Sequence, residues 1–132
     1  MSAVVEHLAD RSCVPCRGGV PPLSDAEIAP LLAQLQGWTL WRADADHPHA
    51  KSPLHGALRK RYALKNFAEA LALVNRIGAI AEAENHHPDL GLAWGRVDVE
   101  IWTHKIRGLT ESDFVFAAKC DRAHAELAAP SA

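Results

Sequence analysis

Glu84-Asn85-His86-His87-Pro88-Asp89 is the stretch of this chain whose residue types point most directly to chemistry. Imidazole has the unperturbed pKa nearest neutral pH, so a pair of adjacent histidines is costly as packing and useful for moving protons. A third histidine, His104, ends a strand-like run and lies near enough in a small fold to share a pocket with the pair. Glu82 stands four residues before His86, a spacing that puts both on one helical face and lets them hydrogen-bond. Each residue also has a plainer reading. A lone His at a helix C-terminus is more often a cap than a catalyst. Trp94 alone would be a packing residue, Asp113 an acid in a helix's first turn, and Glu82 a solvated helix residue.

The elements that must position these residues follow from periodicity. Ser24 and Glu27 form a capping box with Leu23 packing on Ile28, opening a helix whose apolar stripe is Ile28, Leu31, Leu32 and Leu35 and which Gly37 ends. Residues 38–42 read as a first strand, and residues 43–56 as a polar connecting loop. Leu58, Lys60, Tyr62 and Leu64 alternate with Arg59, Arg61 and Ala63, the pattern of a half-buried second strand. Asn66 and Glu69 cap a long helix running to about Asn85, with Phe67, Leu71, Val74, Ile77 and Ala81 as its apolar face. Pro88 stops that helix and biases His87 away from helical geometry. The His pair is therefore expected at the helix C-terminus, where the dipole favours a protonated imidazole.

Residues 90–94 and 97–104 read as two strands turning at Gly95-Arg96. Val97, Val99, Ile101 and Thr103 face one way, and Asp98, Glu100, Trp102 and His104 the other, with His104 on a more polar face or at its rim. Thr110 with Asp113 is a third capping box, stapled by Leu109 and Phe114, and opens a helix running to about Leu127. The order α-β-β-α-β-β-α predicts an α+β fold, a four-stranded antiparallel sheet with helices packed on one face. The open face is then a candidate interface. Residues 1–22 read as an irregular N-terminal arm, 23–127 as the domain and 128–132 as a frayed tail.

Bulk composition narrows the function classes. The chain has 132 residues, which fits one domain, and is 48 % apolar and 23 % charged, as expected of a soluble globular protein. A formal net charge of −2 gives no electrostatic case for nucleic acid or an anionic membrane. Arg59-Lys60-Arg61 reads as a solvated strand edge. No apolar stretch has spanning length and the N-terminus lacks an h-region, so a cytoplasmic protein is expected. Cys13, Cys16 and Cys120 are an odd count, which argues against a disulfide framework. Cys13-Val-Pro-Cys16 lacks the second pair that a structural zinc site uses, although His47 and His49 could in principle complete one. It also lacks the strand-to-helix setting of a redox motif, so it reads as two thiols in the arm, with no metal. His7, His47, His49, His55 and His124 follow no pattern and read as surface residues.

The spacing of Glu82, His86-His87-Pro88, Trp94, His104 and Asp113 resembles the pterin-4a-carbinolamine dehydratases. The resemblance spans about residues 23–125 and includes Gly37-Trp38, Tyr62-Ala-Leu-Lys-Asn-Phe67 and Leu109-Thr110. It implies the elimination of water from a 4a-hydroxytetrahydropterin, giving quinonoid dihydropterin, which recycles the cofactor of aromatic amino acid hydroxylases. The pterin is then the substrate, and no cofactor or metal is implied. By resemblance His86 and His104 are the acid and base, and His87 binds and orients the pterin. Glu82, Pro88, Trp94 and Asp113 would shape and support the site. The chain departs from the family pattern at Leu90, near where an aromatic is common, and at Trp102, where a smaller residue would leave more room. A homodimer or homotetramer is implied. Related proteins with this fold serve as partners of a transcription factor or as assembly factors for the carbon-fixing enzyme of carboxysomes. A protein partner, such as a hydroxylase or an assembly client, and a pterin linked to molybdenum cofactor therefore stand as alternatives.

Overall fold

The computed structural model describes residues 8–14, 20–42 and 53–128. His7, Cys16, His47, His49, the 43–52 part of the polar loop and the tail after residue 128 lie outside the described residues.

The elements are α1 (Asp25–Leu32), β1 (Thr39–Trp41), β2 (Ala57–Ala63), α2 (Phe67–Glu84), β3 (Asp89–Ala93), β4 (Arg96–Ile101) and α3 (Glu111–Ala128), with short 3₁₀ turns at Leu8–Asp10 and His104–Ile106. The four strands form one antiparallel sheet in the order β1-β2-β4-β3. α2 and α3 cover one face of it, as the α+β pattern implies. The β2–β4 register pairs Tyr62 with Val97 and Leu58 with Ile101. That places Leu58, Tyr62, Val97, Val99 and Ile101 in the core, each at most 2 % exposed. Arg59 and Arg61 point to the open face, where they pair with Glu100 and Asp98.

Local signals in the chain account for the helix starts. Ser24 accepts from the Glu27 N–H while Glu27 reaches back to the Ser24 N–H, a complete capping box. At α2, Asn66 accepts from the Glu69 N–H, but the Glu69 carboxylate bonds the N–H of Lys65 instead of that of Asn66.

Two sequence expectations need correction. α1 stops at Leu32, not near Gly37, and residues Gln34 and Leu35 continue as tighter i→i−3 turns. The buried seam of α2 is Ala70, Leu73, Ile77 and Ala81, whereas Phe67 and Leu71 are 43 % and 41 % exposed. α2 is apolar over a broad arc, so periodicity alone cannot say which stripe within it meets the sheet.

One polar cluster sits inside this packing. Asp121 of α3 accepts from Tyr62 Oη at 2.5 Å, Lys60 Nζ at 2.8 Å and Trp38 Nε1 at 3.0 Å. Burial, then the Asp121 carboxylate, pushes the Tyr62 phenol far above its ordinary range, so it stays a donor. His124, expected at the surface, leans on the Tyr62 ring at 4.8 Å between centroids. Asp121→Ala leaves these donors without their acceptor and is expected to cost about 2 kcal/mol. Urea denaturation checks this as a lower midpoint at unchanged slope.

Candidate active site

α2 ends at Glu84 because Asn85 takes the left-handed conformation at φ 53°, which Asn tolerates better than most residues. The N–H groups of Asn85 and His86 both turn back to the Ala81 carbonyl, and this cap turns the chain so that His86 leaves the helix. Pro88 then leads into β3.

His86 does not pair with Glu82. Its Nε2 lies 2.7 Å from Oδ1 of Asp113, while His87 Nε2 lies 2.6 Å from Oε2 of Glu82. The expected i,i+4 contact fails because His86 is already outside the helix when the chain reaches it, and His87 takes the Glu82 partner from the turn. The two imidazoles also differ in environment. The His86 side chain is 13 % exposed and Asp113 fully buried, whereas His87 and Glu82 are 55 % and 80 % exposed. The first pair is screened little and held rigidly; the second is a surface contact of small energy.

Asp113 is the hub of the buried side. Its Oδ2 accepts from Thr103 Oγ1 at 2.7 Å and from the Thr110 N–H at 2.8 Å, and its Oδ1 meets His86. The Thr110 contact is the half of the capping box in which the acid reaches back to a free N–H at a helix start. With acceptor-only carboxylate oxygens on Asp113, the neutral His86 ring donates from Nε2, which leaves Nδ1 as the nitrogen that can take a proton. The tautomer follows from this partner. The His86 ring lies 5.7 Å from that of Phe116, which backs it from α3.

His104 comes from a different element than its strand-like run implied. β4 stops at Ile101, and Trp102 turns inward to 7 % exposure, so the alternation breaks there. Thr103 and Gly108 exchange backbone hydrogen bonds at 2.8 Å and 3.4 Å, closing a small loop that carries His104 on a 3₁₀ turn. Arg107 sits at φ 53° to complete the return. Gly108 is required at the neck of this loop, since a Cβ there would stand 2.7 Å from His55 Cβ and 2.8 Å from Pro22 Cβ. Gly108→Ala is expected to cost about 1–3 kcal/mol, the usual range for overpacking, and to displace His104. Thermal unfolding with amide chemical shifts of the 103–108 loop checks both.

Asn85, His86, His87, Trp102, Thr103, His104 and Lys105 line one cleft of about 300 Å³. The His104 ring packs edge-on against Trp102 at 4.2 Å between centroids. Trp102 Nε1 is buried without a hydrogen-bond partner among the described residues, a costly state for an indole donor. Of the residues singled out by sequence, His86, His87 and His104 meet at this cleft, with Asp113 and Glu82 behind them and Pro88 shaping the turn. Trp94 is not brought to it. It is 73 % exposed at the β3–β4 turn, and Ala93↔Arg96 pairing puts that turn at the far end of the hairpin from the Asp89↔Glu100 pair. Thr103 also belongs to the site, which its place on the Val97, Val99 and Ile101 face does not announce. Its hydroxyl contact with Asp113 depends on the turn at Gly108.

A four-stranded antiparallel sheet backed by helices, with an His-His-Pro turn facing a Thr-His loop, defines a class, and the comparisons agree with it. Residues 21–123 match the family model described as pterin 4 alpha carbinolamine dehydratase. The chain belongs to the pterin-4a-carbinolamine dehydratase family. It is 50 % identical over 118 residues to a protein of Rubrobacter xylanophilus provisionally named as such a dehydratase, covering 89 % of this chain and 99 % of the relative. It is 45 % identical over 122 residues to a provisionally named counterpart from Alkaliphilus metalliredigens, covering 92 % and 100 %. A crystal structure from Brucella melitensis, described as a transcriptional coactivator/pterin dehydratase, superposes with a TM-score of 0.65 at 28 % identity, covering 78 % of this chain and 98 % of the other. A pterin dehydratase-like RuBisCO assembly factor of the alpha-carboxysome shares the fold, with a TM-score of 0.52 at 19 % identity, covering 67 % and 89 %.

Proposed function

We propose that this protein eliminates water from a 4a-hydroxytetrahydropterin by histidine acid/base catalysis, returning quinonoid dihydropterin for reduction. The observation that carries this reading is the His86 ring fixed through Nε2 on a buried carboxylate at 2.7 Å, on one cleft with His87 and His104. In the proposed reaction the C4a–O bond breaks and the N5–H bond yields its proton. His86 Nδ1 takes the N5 proton, since Asp113 holds the ring in the tautomer that leaves this nitrogen free. His104 delivers a proton to the leaving hydroxyl, which departs as water. His87, paired at the surface with Glu82, orients the flat ring. The pterin is the substrate in this scheme.

The test is the absorbance-followed dehydration of chemically prepared 4a-hydroxytetrahydropterin. The wild type is expected to exceed the buffer rate, and the His86→Ala/His104→Ala double variant to return to it. A wild-type rate equal to buffer, or an unchanged rate in the double variant, overturns the reading.

A second reading, assembly with itself or with a protein partner, is favoured by the apolar side chains left at the surface. Trp94 is 73 % exposed, Phe67 43 %, Leu71 41 % and Leu92 37 %, carried on α2 and on β3 and its turn, β3 being an edge strand. Exposed apolar residues beside an unpaired strand edge suit a homo-oligomer. Sedimentation velocity distinguishes a homodimer or homotetramer from a monomer that awaits a partner.

A further inference from the structure

The chain before residue 21 lies outside the family match, yet its described part is tied to both helix ends that carry the His86–Asp113 pair. Leu8 and Ala9 of the first 3₁₀ turn are buried against α3. Lys119 Nζ and Arg122 Nη2 donate to the Ala9 carbonyl at 2.8 Å and 2.7 Å, and Arg122 Nη1 pairs with Asp10. The chain then crosses from one helix end to the other. The Cys13 N–H donates to Glu84 Oε1 at 2.8 Å. The Val14 N–H donates to Ser112 Oγ at 2.7 Å, and the same hydroxyl donates back to the Val14 carbonyl at 3.2 Å.

Glu84 is the last residue of α2, two before His86, and Ser112 immediately precedes Asp113. The histidine hangs from one helix terminus and its carboxylate from the other, so their separation depends on how the last turn of α2 lies against the first turn of α3. The arm spans that junction from outside. Lys119 supports it further, reaching Glu84 at 3.7 Å from the same ammonium that holds Ala9. The Cys13 thiol packs here too, with Sγ 3.5 Å from the Ser112 carbonyl. Burial, then the Glu84 carboxylate, pushes its pKa up to about 12, which suits a packing thiol more than a reactive one.

We infer that residues 8–14 are a strap that holds His86 on Asp113, with Ser112 and Glu84 as positioning residues. The kinetic consequence rests on the proposed dehydration; the geometric one does not. Ser112→Ala removes both hydroxyl bonds from the helix side. Val14→Pro removes one from the arm side by deleting the N–H, and Val14→Ala keeps that N–H as a control. Rates of 4a-hydroxytetrahydropterin dehydration are measured with ring ¹⁵N spectra of His86, which report which nitrogen carries the proton. Ser112→Ala and Val14→Pro are each expected to lower kcat about tenfold with KM within about twofold, as a misplaced reacting group does. Both are expected to move the His86 ring signals from the Nε2–H form towards a mixture, leaving those of His104 in place, with Val14→Ala matching the wild type. A folded Ser112→Ala protein with wild-type kcat and wild-type His86 signals overturns the strap. If the wild type shows no rate above buffer, the dehydratase reading falls, and the His86 ring signals alone decide the strap.

Discussion

His86→Ala is expected to slow dehydration of 4a-hydroxytetrahydropterin by about two orders of magnitude or more, the loss typical of removing a positioned acid or base. The fold is expected to survive, because the ring stands at the cleft and Asp113 keeps its bonds to Thr103 and Thr110. The comparison with His87→Ala makes the result specific. His87 is 55 % exposed and its Glu82 partner 80 % exposed, so nothing holds it as His86 is held. Its loss should raise KM with little change in kcat, the signature of a group that binds ground state and transition state alike. Stopped-flow absorbance on both variants, with circular dichroism as the fold control, reads this directly. Equal loss of kcat in the two would mean that burial against Asp113 does not distinguish the histidines.

The largest stability effect is expected at Asp113. Its carboxyl is fully buried and receives a hydroxyl, a backbone N–H and an imidazole. Asp113→Ala strands these donors and opens the end of α3, at an expected cost of about 3 kcal/mol. Single domains have only about 5–15 kcal/mol in hand, so this is a sizeable fraction. Urea denaturation measures it. The same variant should lose dehydration rate to about the extent of His86→Ala, since an unanchored imidazole is neither aimed nor held in one tautomer. The double variant is the sharper check. If Asp113 acts through His86, its rate should lie close to that of either single variant instead of multiplying the two losses.

How much of this was legible in the sequence depends on the range of the interaction concerned. Capping at Ser24 and Asn66, the alternation through Leu58 and Tyr62 and the turn at Gly95 are local patterns, and each element they imply is present at nearly its expected place. The His-His-Pro segment stands out by residue type, because adjacent imidazoles are costly as packing, and His104 by its place at the end of a strand-like run. What chain position could not give was partnership. Glu82 and His86 have helical spacing, yet His86 leaves α2 at a left-handed Asn85 and finds Asp113, 27 residues on. Trp102 continues an alternation that the Gly108 loop interrupts, and so becomes a buried cleft wall. The arm gave no periodic signal, since its bonds run through its own backbone to Glu84 and Ser112. By itself the sequence determined the helices and strands, their order and the candidate histidines, because propensity, capping and periodicity act over a few residues. Which imidazole is anchored, which is exposed and what braces them was decided only by the tertiary structure, because these depend on the docking of α2's end against α3's start.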